Sequence, residues 1–172
     1  MDAHRNRRQQ LISQAEGYLE LGMVEHALST IDQLGRSDDL EAHVLFLKGE
    51  AFRAARQYKE ALKELKRAAK STPEEIQIWI SMGWCYKRTN RTNMAIQSLD
   101  QALAIAPGEA LIHFNLACYW SLVGNKERAL NYLATAFDID SNYRDLVKDE
   151  SDLDPIRSDP EFLALTSVLS DR

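Results

Sequence analysis

A period of 34 residues runs through this chain and leaves few folds open to it. Ala27, Ala61, Ala95 and Ala129 stand one period apart, as do Ile31, Leu65, Leu99 and Leu133. Large aromatics recur at Tyr18, Phe52, Tyr86 and Trp120, and the smallest residues at Ala15, Gly49, Gly83 and Ala117. Another column reads Leu34, Ala68, Ala102 and Ala136, with Pro73 and Pro107 closing the two middle units. A fixed period of this length marks a stacked repeat, in which no unit can bury its apolar face alone.

Each unit reads as two antiparallel helices joined by a short turn. In the third, the spacing predicts a first helix from about Glu75 to Arg88 and a second from about Arg91 to Ala104, with Thr89 and Asn90 between them as poor helix formers. Gly22 and Gly124 hold the matching turns of the first and fourth units, where a left-handed residue costs glycine little. The small column lets two helices approach closely, and the aromatic column fills the space beside that contact. Proline just past a second helix helps to stop it.

Trp79, Met82, Gly83, Tyr86, Ala95, Leu99 and Pro107 fall on the pattern W-x2-L-G-x2-Y, A-x3-F, P, with Met for Leu and Leu for Phe. In these residues the chain resembles the tetratricopeptide repeat proteins. The resemblance implies an all-α fold, a tetratricopeptide-type solenoid of about four helix-turn-helix repeats at 8–41, 42–75, 76–109 and 110–143, with a capping helix after them. It implies a tail over residues 1–9, repeats over 10–143, and an acidic link and capping helix over 144–172. The first unit lacks the Trp and the Pro, and the fourth has His113 and Ser141 in those places.

Members of this family turn certain positions of the first helices toward a concave groove. Carried onto this sequence, those positions give Ile12, Ser13 and Glu16; Phe46, Leu47, Glu50 and Arg53; Ile80, Ser81, Trp84, Lys87 and Arg88; and Phe114, Asn115 and Cys118. Trp84 stands out, because Glu16, Glu50 and Cys118 take its place elsewhere and the repeat does not demand an aromatic there. The row Ile12, Phe46, Ile80, Trp84, Phe114 is either a recognition surface or a face covered by the chain's own terminus. The clamp by which some family members hold carboxylate-ended tails is not built here in either frame: the first offers Ile12, Glu16, Leu47, Gln77 and Ser81, the second Phe46, Glu50, Ser81, Leu111 and Asn115. What remains is an apolar strip with Arg53, Lys87 and Arg88 beside it, suited to an extended or helical segment with hydrophobic anchors and some acid.

After residue 143 the period breaks, since Asp154 would fall in the aromatic column and Leu163 in the alanine column. The remainder reads as a short helix, an acidic link, and a final helix with Asp159 as N-cap and Pro160 as its first residue, on which Phe162, Leu165 and Leu169 share a face. It looks like the capping tail of bacterial tetratricopeptide arrays. Asp149, Glu150, Asp152 and Asp154 lack the glycine and closing glutamate of a calcium loop, so no metal is expected.

Charge narrows the function further. The 172 residues carry a net charge of −5, which speaks against a general nucleic-acid binder, and no apolar run is long enough for a membrane span or a signal peptide. Residues 138–161 hold nine acids against three bases. Cys85 and Cys118 form no C-x-x-C pair and read as reduced structural thiols of a cytoplasmic protein. No phosphate loop, dinucleotide fingerprint, zinc-protease motif or nucleophile elbow occurs, and the four histidines are scattered, so neither enzyme activity nor a cofactor is expected. The expectation is a protein-protein adaptor or scaffold that binds a peptide or helical segment in its groove. A self-assembling structural module, forming homo-oligomers, and a small specialised chaperone are the alternatives.

Overall fold

The computed structural model describes residues 2–35 and 41–167. Its regular elements are all helical: α1 (Asp2–Glu20), α2 (Val24–Asp32), α3 (Ala42–Ala54), α4 (Tyr58–Ser71), α5 (Ile76–Arg88), α6 (Thr92–Ile105), α7 (Ala110–Leu122), α8 (Lys126–Ile139), α9 (Tyr143–Leu146) and α10 (Pro160–Ser167). Short 3-10 turns cover Val147–Asp149 and Ser151–Ile156. The chain divides into two compact units, 1–89 and 90–172. Residues 76–109 therefore contribute α5 to the first and α6 to the second. No helix among the described residues is long and apolar enough to cross a membrane.

In the first unit α1 packs on α2, α3 on α4, and α4 on α5, while α1, α3 and α5 lie side by side. Residues 2–9, expected as part of a tail, instead form the start of α1, which begins at Asp2. The repeat columns explain the packing. Ala15, Ala27, Ile31, Ala61, Leu65 and Ala68 are all completely buried. Gly49 is where α3 meets α4: a Cβ built there would stand 2.7 Å from both Cγ and Cδ2 of Leu65. In the second unit α7 packs on α8, α6 on α7, and the 3-10 turn Ser151–Ile156 on α7. Ala95, Leu99, Ala102, Ala117, Ala129, Leu133 and Ala136 are likewise sealed from solvent.

The turns repeat as faithfully as the core. Gly22, Arg56, Asn90 and Gly124, each 34 residues after the last, have φ of 70°, 60°, 59° and 79°. Where α1, α3 and α7 end, the amide of the left-handed residue or of its successor bonds back into the last turn: Gly22 to Leu19 and Met23 to Tyr18, Arg56 to Arg53 and Gln57 to Phe52, Gly124 to Ser121 and Asn125 to Trp120. This double bond is the standard close of a helix on a left-handed residue, and the outer partner each time is the carbonyl of the aromatic column. An L-residue pays about 1–2 kcal/mol for that conformation, offset in part by the larger unfolded-state entropy of glycine. Arg56→Gly is therefore expected to stabilise the protein by roughly 0.5–1 kcal/mol, seen as a higher urea midpoint at unchanged slope. An unchanged or lower midpoint would show that the Arg56 turn is not under strain.

The departure of the fourth unit from the pattern has a simple cause. Trp79 Nε1 donates to the carbonyl of Pro73 at 2.7 Å, and His113 Nε2 stands in the same relation to the carbonyl of Pro107, also at 2.7 Å. In these two units the column supplies a ring N–H aimed six residues back, and imidazole serves there as indole does, whereas Leu11 and Leu45 hold the same column in the first two.

The C-terminal segment closes the second unit. Val147, Leu153, Ile156 and Phe162 are buried. Arg157 donates to the carbonyls of Val147 and Glu150 and to Asp154 Oδ1. Asp159 accepts from the amide of Glu161 at the start of α10 and from Lys126 Nζ on α8, and the lysine bond holds its carboxyl below the usual range. Leu165 is half-buried, whereas Leu169 lies outside the described residues.

Candidate peptide-binding groove

The residues expected to line a groove fall into two different environments. In the first unit Ile12 and Leu47 are buried, and their side chains belong to the packing between helices. Phe46, Ile80 and Trp84 are half-buried. Phe46, near the start of α3, borders a cavity of about 320 Å³ together with His43, Thr72, Gln77 and Ile78. Ile80 and Trp84 share a face of α5, four residues apart.

Trp84 is the centre of a cluster. The Arg53 guanidinium lies 5.1 Å and that of Arg88 5.4 Å from its ring centroid, and Tyr58 meets it edge-on at 5.5 Å, with planes 71° apart. Arg88 also reaches the Tyr58 ring, at 6.0 Å. Arg53 is fixed by Glu50, to which Nε donates at 3.0 and 3.1 Å and Nη2 at 2.6 Å. That bonding raises the Arg53 pKa above its ordinary value, against the effect of burial. Glu50 and Arg53, three residues apart on one helix, thus cancel much of each other's charge. Arg88 is exposed, and Lys87 beside it is half-buried. Underneath, burial pushes the Cys85 thiol up to about 12, so it is neither a nucleophile nor a ready metal ligand at neutral pH.

In the second unit the corresponding residues are covered. Phe114 is buried, with the Tyr143 ring of α9 at 5.1 Å. Cys118 is buried as well, and Asn115 is half-buried. The chain's own C-terminal segment takes the place that another unit's helix would hold.

Tyr58 is the member of the cluster that the groove positions did not include. Its column reads Val24, Tyr58, Thr92, Lys126, so it is an aromatic the repeat does not require, which is the same signal that marks Trp84.

Two family models described as tetratricopeptide repeat match the chain, over residues 12–76 and 52–117. The curated proteins contain no match. Among solved structures, a crystal structure of MamA is 16% identical with a TM-score of 0.73, covering 84% of each chain. The 41-end form of MamA from Desulfovibrio magneticus RS-1 is 18% identical with a TM-score of 0.73, covering 96% of this chain and 97% of that one. YrrB, described as a TPR protein with an unusual peptide-binding site, is 20% identical with a TM-score of 0.71, covering 78% of this chain and 70% of its own. These likenesses show an all-α, tetratricopeptide-type solenoid fold.

Proposed function

Because the chain belongs to the tetratricopeptide repeat family, and is thus a protein-interaction module, we propose that it acts as an adaptor gripping one segment of a partner protein on the face formed by α3 and α5. The observation that carries this reading is the half-buried pair Phe46 and Ile80, which stays open to solvent beside the cavity at Phe46, with the Trp84 cluster next to it on α5. Apolar side chains held by a rigid scaffold yet left in water favour recognition. YrrB, alike in fold, is described as having a peptide-binding site, which supports peptide binding in kind and not the choice of face.

A photo-crosslinking amino acid placed at Phe46, an aromatic for an aromatic, tests this in cells. It is expected to give a discrete protein adduct that the same probe at exposed Lys63 on α4 does not. Ile80→Asp should reduce that adduct roughly tenfold or more while changing the urea midpoint little, since a half-exposed position contributes only modestly to the core. Equal labelling at Phe46 and Lys63, or none at Phe46, would overturn the assignment. An adduct between two copies of the chain would favour self-assembly instead.

A further inference from the structure

We infer that the cluster around Trp84 is a carboxylate receptor, and that the segment bound on the α3–α5 face carries an Asp or Glu next to its apolar anchor. This rests on the peptide-binding reading above and names the chemistry of one of its contacts.

Trp84 has two guanidinium groups within about 5 Å of its centroid and a tyrosine edge beside it. A ligand aromatic would compete with both arginines for this ring, so Trp84 serves as a platform for cations more than as an apolar anchor. Of those cations, Arg53 is engaged by Glu50 through three hydrogen bonds. Arg88 has only ring contacts, and among the described residues no carboxylate lies within ion-pair distance of it. A guanidinium lying on an aromatic surface keeps its in-plane N–H groups free, and that edge matches the two oxygens of a carboxylate. The aromatic contact also restrains a side chain that would otherwise be mobile, so less entropy is lost when the anion arrives. Although the chain's net charge is −5, residues 42–89 hold ten bases against five acids, so an anion meets a locally favourable field there.

Position gives the spacing. Trp84 lies one helical turn beyond half-buried Ile80, roughly 6 Å away. In an extended segment residues i and i+2 share a face about 7 Å apart. The ligand therefore places an acidic residue two positions from the apolar residue that covers Ile80.

Random linear peptides displayed on phage and selected against the whole protein are the test. Enriched sequences should pair Asp or Glu with an apolar residue two positions away. For a synthetic peptide of that sequence, Arg88→Gln, or the acid changed to its amide, should raise Kd roughly tenfold or more and flatten the salt dependence, whereas Lys63→Gln should do neither. Trp84→Leu, which keeps the apolar bulk and removes the platform, should cost as much as Arg88→Gln, and the double variant no more than either alone. Multiplying losses would make Trp84 a separate anchor and overturn the platform. Enriched peptides that are apolar without acid, or that bind Arg88→Gln within twofold of wild type, would overturn the receptor while leaving the peptide-binding face in place. A selection yielding no binder would remove both.

Discussion

Leu153→Ala is expected to cost about 2–5 kcal/mol, a severe loss for one truncation in a segment that reads as an acidic link. Leu153 is completely buried, and its 3-10 turn packs directly on α7. The turn Ser151–Ile156 repeats every three residues, which sets Leu153 and Ile156 on one side and turns Asp154 out to solvent. Arg157 then ties the segment to two backbone carbonyls, so the turn is held rigid and cannot collapse into the space that a shortened side chain would leave. Leu163→Ala is the control: that side chain is 52% exposed, and its loss should shift the urea midpoint by no more than about 0.5 kcal/mol equivalent. If the two variants unfold alike, the turn is not part of the second unit's core.

The second large effect is at the contact between α3 and α4. Gly49→Ala adds a single methyl and removes a helix-weakening glycine, a change worth up to about 1 kcal/mol in favour of folding at an open site. Here the new Cβ would lie 2.7 Å from two carbons of Leu65, one of them the branch point, in a side chain that is itself fully buried. Leu65 has no solvent to swing into, so overpacking is expected to win, with a net loss of roughly 1–3 kcal/mol, and Gly49→Leu should be worse. Leu65→Ala alone leaves a cavity and should cost about 2–5 kcal/mol. The double variant Gly49→Ala/Leu65→Ala should be less destabilised than the sum of its parts, because the added methyl enters the space the leucine vacated. Additive losses in urea unfolding would mean that the two positions do not share one contact.

The reason Gly49 could be found in the sequence is also the reason much of the fold was legible there. The contact between the two helices of a unit recurs in every unit, so a residue forced to be small must be small every 34 positions, and Ala15, Gly49, Gly83 and Ala117 say so without any structure. The Arg56 turn was less legible. Its backbone follows the same path as Gly22 and Gly124, but arginine gives no sign of a left-handed conformation, and only the repeat period places it there. The C-terminal turn was missed for a different reason. Its two core residues, Leu153 and Ile156, form a single three-residue step among acids, too short a run for either the helical or the strand period to register as a buried face.

The candidate groove was legible in type and less so in exposure. Family positions marked Ile12, Leu47, Phe114 and Cys118 as groove-facing, yet all four are buried, because burial depends on what lies opposite a side chain and not on its place in the repeat. Phe114 lies against Tyr143, a residue 29 positions away whose approach no periodic pattern encodes. Glu50 and Arg53, both placed at groove positions by the family pattern, form a pair, which follows from their three-residue spacing on one helix.

The Arg157-braced turn limits how copies of this protein could join. A solenoid lengthens, within one chain or between chains, by setting a new first helix against the last unit. On the α7 side that berth is filled by Leu153 and Ile156, and the segment that fills it is braced internally by the Arg157 side chain, which donates to the carbonyls of Val147 and Glu150. Growth of a filament by end-on addition at α7 would first require the closing segment to be peeled away. Self-association without that unfolding has to begin from a surface other than this end of α7.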